Sequence, residues 1–239
     1  NLDAARDTYA NAQMLAVEAA DTGLQAETAL GLGDALRLAG DCVAARRAYE
    51  TSIAAFARSD PGATGRATFG LARCLDALDD HGGAADAYLV TAAIFGAIGD
   101  DRGEALSFIE RGFAHLGQGD AAGALEDFRN AFDPLLRNDN PVASAAAQAG
   151  VAAAKAALGD HEGAANGHGY ALLDLRAAPD PLLEANRLLD FGVFGAFRFH
   201  DGGPQRAAEF ARDFPRSNLE ARAFLDRLQS TLATLPPPP

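Results

Sequence analysis

The 239-residue sequence has no tryptophan, only two cysteines and a single lysine, Lys155, among its twenty basic residues. Two cysteines are too few for a disulfide scaffold in a chain of this length. We expect Cys42 and Cys74, which stand far apart in the sequence, to be small buried apolar groups in a reducing compartment, the cytoplasm. β-Branched residues are sparse beside alanine and leucine, and this composition favours helices over strands. The sequence therefore predicts an all-α protein.

Two classes of partner are disfavoured by what is missing. No run of apolar residues approaches the roughly eighteen that a membrane-spanning helix requires. The formal net charge of −13 argues against nucleic acid, because binding to a phosphate backbone needs clustered lysines and arginines. We therefore expect neither a membrane nor a nucleic-acid partner.

The sequence contains an internal repeat. The segments GDCVAARRAY, from Gly40, and GDAAGALEDF, from Gly119, share a Gly-Asp start, a small residue and an aromatic end. Tyr49, Tyr88 and Phe128 are spaced by 39 and 40 residues, and an alanine lies four residues before each. The same register extends backward to Ala5 and Tyr9 and forward to Ala164 and His168.

Each repeat is predicted to form two helices. The first helix carries a small residue where helices cross, at Gly33, Ala72, Gly112 and Ala152. A glycine then ends that helix in a left-handed conformation, and the following aspartate caps the next helix. These pairs are Gly40-Asp41, Gly119-Asp120 and Gly159-Asp160. The other start signal is a capping residue before a proline, at Asp60-Pro61, Asn140-Pro141 and Asp180-Pro181.

The small residue, the Gly-Asp turn and the alanine four residues before an aromatic together resemble the tetratricopeptide repeat (TPR). The period near 40 and the absence of tryptophan depart from the usual 34-residue pattern. The longer period is similar to that of kinesin light chains and of TPR arrays in large bacterial regulators and signalling ATPases. The resemblance implies an α-solenoid of stacked antiparallel helix pairs wound into a right-handed superhelix.

The repeat register predicts one array over residues 1–233. Its parts are an isolated second helix at 1–22, helix pairs at 23–60, 61–100, 101–140, 141–180 and 181–215, a capping helix at 216–233 and a proline-rich tail at 234–239. Because residues 1–22 lack a first helix, we expect the chain to be a fragment of a larger multidomain protein; the alternative is a genuine end at which this helix acts as a cap. The apolar face of that helix is then a candidate self-association surface, with Leu2, Ala5, Tyr9 and Ala12.

No catalytic or cofactor motif stands out from the repeat. HEGAANGH, His161 to His168, lacks the spacing of the HExxH zinc motif. The glycine-rich segments at Gly31 and Gly117 fall on the crossing and turn positions of the repeat, and no lysine follows them as in a Walker loop. We therefore predict a protein that is not an enzyme and needs no metal or cofactor.

TPR proteins bind peptides or partner helices on the concave wall formed by their first helices, so the resemblance implies a groove. The predicted groove residues are Asp34, Arg37, Arg66, Phe69, Arg73, Ile109, Phe113, Leu116, Ala149 and Ala153. Arg66 and Arg73 are seven residues apart on one helix and could hold a carboxylate, although they do not reproduce the Lys-Asn clamp of chaperone-binding TPR domains. Ile109, Phe113 and Leu116 suit an apolar peptide or helix, or belong to the core instead.

Phe191 and Phe194 lie on one helical face within FGVFGAFRF, in the irregular last repeat. They either fill a larger gap in the core or form an aromatic hot spot for a partner. The sequence as a whole indicates a non-catalytic scaffold that binds a protein or peptide in its groove. The alternative is a regulatory sensor whose array changes curvature when an effector binds.

Overall fold

The computed structural model describes residues 2–57, 59–138, 140–160, 162–164, 166–167 and 170–171. Regular structure within these residues is entirely helical, as the composition predicts. The chain divides into two compact units, Asn1–Gly119 and Asp120–Pro239. The predicted 181–215 repeat, the 216–233 capping helix, the 234–239 tail, Phe191 and Phe194 lie outside the described residues.

Unit 1 contains six helices of fifteen to eighteen residues. They are α1 (Leu2–Glu18), α2 (Thr22–Leu38), α3 (Cys42–Phe56), α4 (Pro61–Ala77), α5 (His81–Ile98) and α6 (Asp101–Gly117). Each helix packs against the next along the chain, and α2 also contacts α4. Short connections make consecutive helices antiparallel, so unit 1 consists of stacked helix pairs.

Unit 2 contains α7 (Ala121–Asn130), α8 (Phe132–Arg137) and α9 (Pro141–Ala157). Both α7 and α8 contact α9. The repeat pattern predicts a single second helix here, but the structure divides it at Ala131. Pro134 explains the break, because proline lacks the N–H that would bond to the carbonyl of Asn130 and its ring crowds that carbonyl.

Side-chain caps begin the helices at the predicted positions 41, 60, 120, 140 and 160, and also at three positions that were not predicted, 21, 80 and 100. The carboxylate of Asp41 accepts a hydrogen bond from the backbone N–H of Ala44 at 3.0 Å. Equivalent caps of 2.8 to 3.1 Å are made by Asp21, Asp60, Asp80, Asp100, Asp120, Asn140 and Asp160. Each cap satisfies a backbone donor that the helix itself leaves without a partner.

The turn glycines have the left-handed conformation that the repeat requires. Gly40, Gly119 and Gly159 have φ values of 84°, 79° and 82°. In the 61–100 repeat the corresponding residue is Asp79, with φ of 62°. Asp79 therefore has a left-handed conformation that favours glycine. In this conformation the Cβ of any other residue lies too close to the backbone carbonyl oxygen.

The repeated aromatics form the centre of each packed layer, and Tyr49, Tyr88 and Phe128 are almost completely buried. The ring of Tyr49 lies against Gly33 of α2 and Gly70 of α4, and a Cβ at Gly33 would be 2.7 Å from the ring. In unit 2 the ring of Phe128 packs against Gly150 in the same way. Glycine is needed at these positions because the aromatic occupies the space of its missing side chain.

Candidate functional site: a cleft between α2, α4 and α6

Unit 1 has a cleft of about 240 Å³ on the face formed by its first helices. It is lined by Asp34 and Arg37 of α2, by Arg66, Phe69, Gly70 and Arg73 of α4, by Phe95 of α5, and by Gly103 and Leu106 of α6. We call this the unit 1 cleft. Asp34, Arg37, Arg66, Phe69 and Arg73, five of the predicted groove residues, thus lie together.

The α2 side of the cleft is fixed by a tyrosine from the helix behind it. The hydroxyl of Tyr49 donates to Oδ1 of Asp34 at 2.7 Å, and Nε of Arg37 donates to the Tyr49 oxygen at 3.2 Å. Arg37 also pairs with Asp34 at 3.8 Å. Burial, followed by the bond to Asp34, raises the pKa of Tyr49, so the phenol stays protonated and keeps donating.

The α4 side carries two arginines around an aromatic ring. The residues Arg66, Phe69 and Arg73 share one face because they are three, four and seven positions apart. The Arg73 guanidinium lies over the Phe69 ring, 5.8 Å from its centre, which is a cation–π geometry. Phe69 in turn meets Tyr88 edge-on, with ring centres 5.4 Å apart. Phe69 therefore joins the cleft to the core.

Arg66 differs from the other two arginines of the cleft. Arg37 pairs with Asp34, and Nη2 of Arg73 lies 3.4 Å from Oε1 of Glu110 on α6. Arg66 is exposed and forms no ion pair with any residue in the described part of the chain. Its charge is therefore the one in the cleft that no described acidic side chain neutralises.

Glu110, which pairs with Arg73 of the cleft, is not among the residues predicted from the sequence. Gly70 and Gly150 each lie against a buried aromatic ring, Tyr49 and Phe128. Glu110 lies forty positions after Gly70 and forty before Gly150, so it occupies the same position of the repeat. Its side chain is only 17% exposed. Burial and the nearby charge of Asp76 raise the pKa of Glu110, against the opposing effect of Arg73 and Arg37. The repeat register could have identified Glu110, because a glutamate stands there at a position that is glycine in the neighbouring repeats.

The apolar part of the cleft comes from Phe95 and Leu106. Phe95 is 5% exposed. Its ring lies close to the backbone of both Gly65 and Gly103, where an added Cβ would be 2.8 Å and 2.6 Å from ring carbons. Leu106 is half-buried on the same helix as Gly103. Together with Phe69 they give an apolar lining beside the arginines.

The other predicted groove residues lie outside this cleft. Ile109 is 3% exposed and Ala149 is completely buried, so neither offers a side chain to a ligand. Both were predicted from helical spacing, which does not distinguish a groove wall from the adjoining core. Phe113, Leu116 and Ala153 are half-buried on α6 and α9. The prediction for Phe191 and Phe194 falls on residues that are not described.

No group of three or more histidine, cysteine, aspartate or glutamate side chains in the described ranges is arranged to hold a metal ion. No helix among those described has both the length and the apolar character to cross a membrane.

The capped helix pairs and the aromatic rings seated on glycines define a TPR-type helical solenoid, which confirms the predicted fold. Among solved structures, the chain is similar to BtubC (BKLC) from P. vanneervenii, with a TM-score of 0.66 and 17% identity over 100% of this chain and 95% of that one. It is also similar to a signal transduction ATPase with numerous domains from Pyrococcus horikoshii that has a tetratricopeptide repeat sensor. That match has a TM-score of 0.65 and 16% identity over 90% of this chain and 34% of that one.

A third match is a putative kinesin light chain with TPR-like repeats from Podosopora anserina, with a TM-score of 0.55 and 16% identity over 87% of this chain and 94% of that one. No protein-family model matches the sequence, and no curated protein matches it. At these identities the likeness shows the fold alone. Helical repeat proteins of this kind typically mediate protein–protein interactions.

Proposed function

We propose that this protein is a non-catalytic interaction scaffold and that the unit 1 cleft binds an extended segment of a partner protein. The observation that carries the proposal is the meeting of Arg66, Arg73 and Phe69 with Leu106 in one cleft of about 240 Å³. A volume of this size accommodates one or two side chains of a peptide, not a whole folded domain. The cytoplasmic location predicted from the sequence remains part of this proposal.

Charge decides which kind of segment fits. The chain has a formal net charge of −13, yet three arginines and one aspartate line the cleft. Arg66 is the anchor for a carboxylate, because it has no described acidic partner and guanidinium groups bind carboxylates through paired hydrogen bonds. Phe69 and Leu106 then receive an apolar side chain next to that carboxylate. The cleft therefore selects a peptide with an acidic residue beside an apolar one.

A random peptide library displayed on phage tests this directly. Selection on the native chain is expected to enrich peptides in which aspartate or glutamate neighbours phenylalanine, leucine, isoleucine or methionine. The double variant Arg66→Glu plus Arg73→Glu should lose those peptides, because it replaces two attractive charges with repulsive ones. The control is Arg47→Glu plus Arg129→Glu, which changes net charge equally at exposed sites outside the cleft.

Three results of the peptide selection would contradict the proposal. Binding retained by the cleft variant, or lost equally in the control variant, would remove the cleft from the proposal. Enrichment of basic peptides would contradict the carboxylate chemistry. Far-ultraviolet circular dichroism of both variants establishes whether each is folded. Because Arg73 pairs with Glu110, the single variant Arg66→Glu, at an exposed position, should also weaken peptide binding and remain folded.

A second function, that of a ligand-responsive sensor, is favoured by one contact. The pair Arg73–Glu110 joins α4 to α6, which belong to consecutive repeats, and Arg73 itself lines the cleft. A ligand carboxylate that takes Arg73 away from Glu110 would remove that link between the repeats. Small-angle X-ray scattering with a selected peptide distinguishes the two functions. A change in radius of gyration supports the sensor, and unchanged dimensions support the scaffold.

We also propose self-association through α1, on a face that differs from the predicted one. Tyr9 packs against Gly31 of α2, so the face with Ala5 and Ala12 is partly covered. Met14, Leu15 and Val17 are instead 60%, 64% and 60% exposed. Light scattering over increasing concentration should show a mass above that of the monomer, which Leu15→Asp plus Val17→Asp reduces. A strict monomer at high concentration would contradict this.

A further inference from the structure

The two cysteines, 32 positions apart in the sequence, meet in the fold. Cys42 and Cys74 belong to one buried cluster with Ala45, Tyr49 and Ala67, and both are free thiols. The expectation that each is simply an isolated apolar group is therefore incomplete. An oxidant can join two thiols of one cluster in a disulfide, whereas a single buried thiol has no partner for that bond.

Helix register explains why they meet. Helices α3 and α4 run in opposite directions, so the first residue of α3, Cys42, lies beside the last turns of α4, which contain Cys74. Two turns further along α3, Tyr49 packs against Gly70 and shares the cluster with Ala67, as an antiparallel register requires. The thiol pair is thus fixed by the same packing that seats the repeated aromatic.

We propose that Cys42 and Cys74 are a modification site: a peroxide converts them to an intramolecular disulfide that joins α3 to α4. Cys42 is 8% exposed and Cys74 is completely buried, so the peroxide reaches the Cys42 sulfur first. The proposal does not depend on the function of the unit 1 cleft.

The chemistry takes two balanced steps. The sulfur of Cys42 attacks one oxygen of hydrogen peroxide, the O–O bond breaks, and the products are Cys42 sulfenic acid and water. The sulfur of Cys74 then attacks the Cys42 sulfur, the S–S bond forms as the S–O bond breaks, and a second water leaves with the Cys74 proton. Two thiols are oxidised and one peroxide is reduced to two waters. A thiol reductant reverses the modification by exchange.

The second step is expected to be slow. Burial, followed by a hydrogen bond with Cys42, raises the pKa of the Cys74 thiol to about 12. A protonated thiol is a poor nucleophile, so the disulfide should accumulate more slowly than with an exposed resolving cysteine. The consequence of oxidation is structural, because the bond fixes α4, which carries Arg73 next to Cys74, to the helix before it.

The test uses the full chain treated with hydrogen peroxide under native conditions, followed by denaturing alkylation and mass spectrometry. We expect both thiols to become inaccessible to alkylation, the intact mass to fall by two hydrogen atoms, and a peptide map without reductant to join the Cys42 and Cys74 peptides. The thermal unfolding midpoint should rise by roughly 5 °C, because the bond restricts the unfolded chain. Dithiothreitol should reverse all four changes.

Three results would overturn the proposal: two alkylatable thiols after oxidation, covalent dimers in place of the internal bond, or a bond that forms only after urea denaturation. The Cys74→Ala variant provides the control, since it removes the resolving thiol and should leave Cys42 sulfenic acid for trapping by dimedone. If that variant does not fold, the peptide map of the unmodified sequence still decides the question.

Discussion

The hydroxyl of Tyr49, on α3, donates a 2.7 Å hydrogen bond to Asp34, on α2. The ring reaches Asp34 by passing between Gly33 of α2 and Gly70 of α4, where no side chain blocks its path. A core aromatic that identifies the repeat is therefore also a residue that organises the unit 1 cleft. The repeat motif and the candidate site are physically connected through this one side chain.

Replacing Tyr49 by phenylalanine should separate the two roles. The ring would still fill the space between the glycines, but Asp34 and Arg37 would lose their common partner. We expect the free energy of unfolding to fall by about 1.5 to 3 kcal/mol, the range for a lost hydrogen bond to charged groups. Chemical denaturation followed by circular dichroism measures it.

Tyr88→Phe is the matched control for that substitution. Tyr88 is 1% exposed on α5, and its hydroxyl forms no hydrogen bond within the described residues. Loss of the Tyr88 hydroxyl should change the free energy of unfolding by less than about 0.5 kcal/mol. Equal losses for the two variants would show that the contact between Tyr49 and Asp34 contributes nothing specific.

Alanine at either glycine beside Tyr49 should destabilise unit 1. The new methyl group of Gly33→Ala or Gly70→Ala would overlap the buried ring, which cannot move without disturbing α2 and α4. Overpacking of this kind exceeds the gain in helix propensity, for a net loss of about 1 to 2 kcal/mol. Gly82→Ala is the control, because it is helical and exposed with nothing within 4 Å of the added Cβ. A thermal melt in which all three variants behave alike would contradict this account.

Asp79→Gly should stabilise the protein. Asp79 has φ of 62°, in the position that Gly40 and Gly119 occupy in other repeats. Removing its Cβ relieves the left-handed conformation and should add about 0.5 to 1 kcal/mol to the free energy of unfolding. The reverse change, Gly119→Ala, should remove about 1 kcal/mol. If Asp79→Gly instead destabilises the chain, the Asp79 side chain must make a compensating interaction of its own.

Structural features that recur in every repeat could be predicted from the sequence, whereas contacts that occur only once could not. The caps at Asp41 and Asp120 and the left-handed Gly40 depend on local backbone geometry, so their residue types predict them directly. The pairing of Arg73 with Glu110, across 37 positions, depends on how two helices are stacked, which composition and spacing do not encode.

The cysteine pair and the groove wall also depend on how helices are stacked. Cys42 and Cys74 look distant in the sequence, and only the antiparallel register of α3 and α4 brings them into one cluster. Ile109 has the spacing of a groove residue but is 3% exposed, because one helical face can meet either solvent or a neighbouring helix. Glu110 interrupts the period of Gly70 and Gly150, so its unusual position, although not its pairing with Arg73, is visible in the sequence.

The free energy of unfolding should depend on pH through Glu110. Burial, together with the charge of Asp76, raises the pKa of Glu110 above its ordinary value despite the proximity of Arg73 and Arg37. A carboxyl group with a raised pKa in the folded state contributes most stability when protonated, and that contribution is lost as the pH rises through the folded-state pKa. Glutamine in place of Glu110 removes the titration but keeps the shape and the polar contact.

We therefore expect the free energy of unfolding of Glu110→Gln, relative to that of the unmodified chain, to rise with pH. The difference should be smallest below about pH 4.3, where the carboxyl group is protonated in both folded and unfolded chains. It should increase as the pH passes upward through the folded-state pKa of Glu110. Urea denaturation at several pH values measures the difference, and Glu126→Gln, at an exposed position, controls for the loss of one negative charge. A difference that grows toward acid pH would mean that Arg73 stabilises the charged form more strongly than burial opposes it.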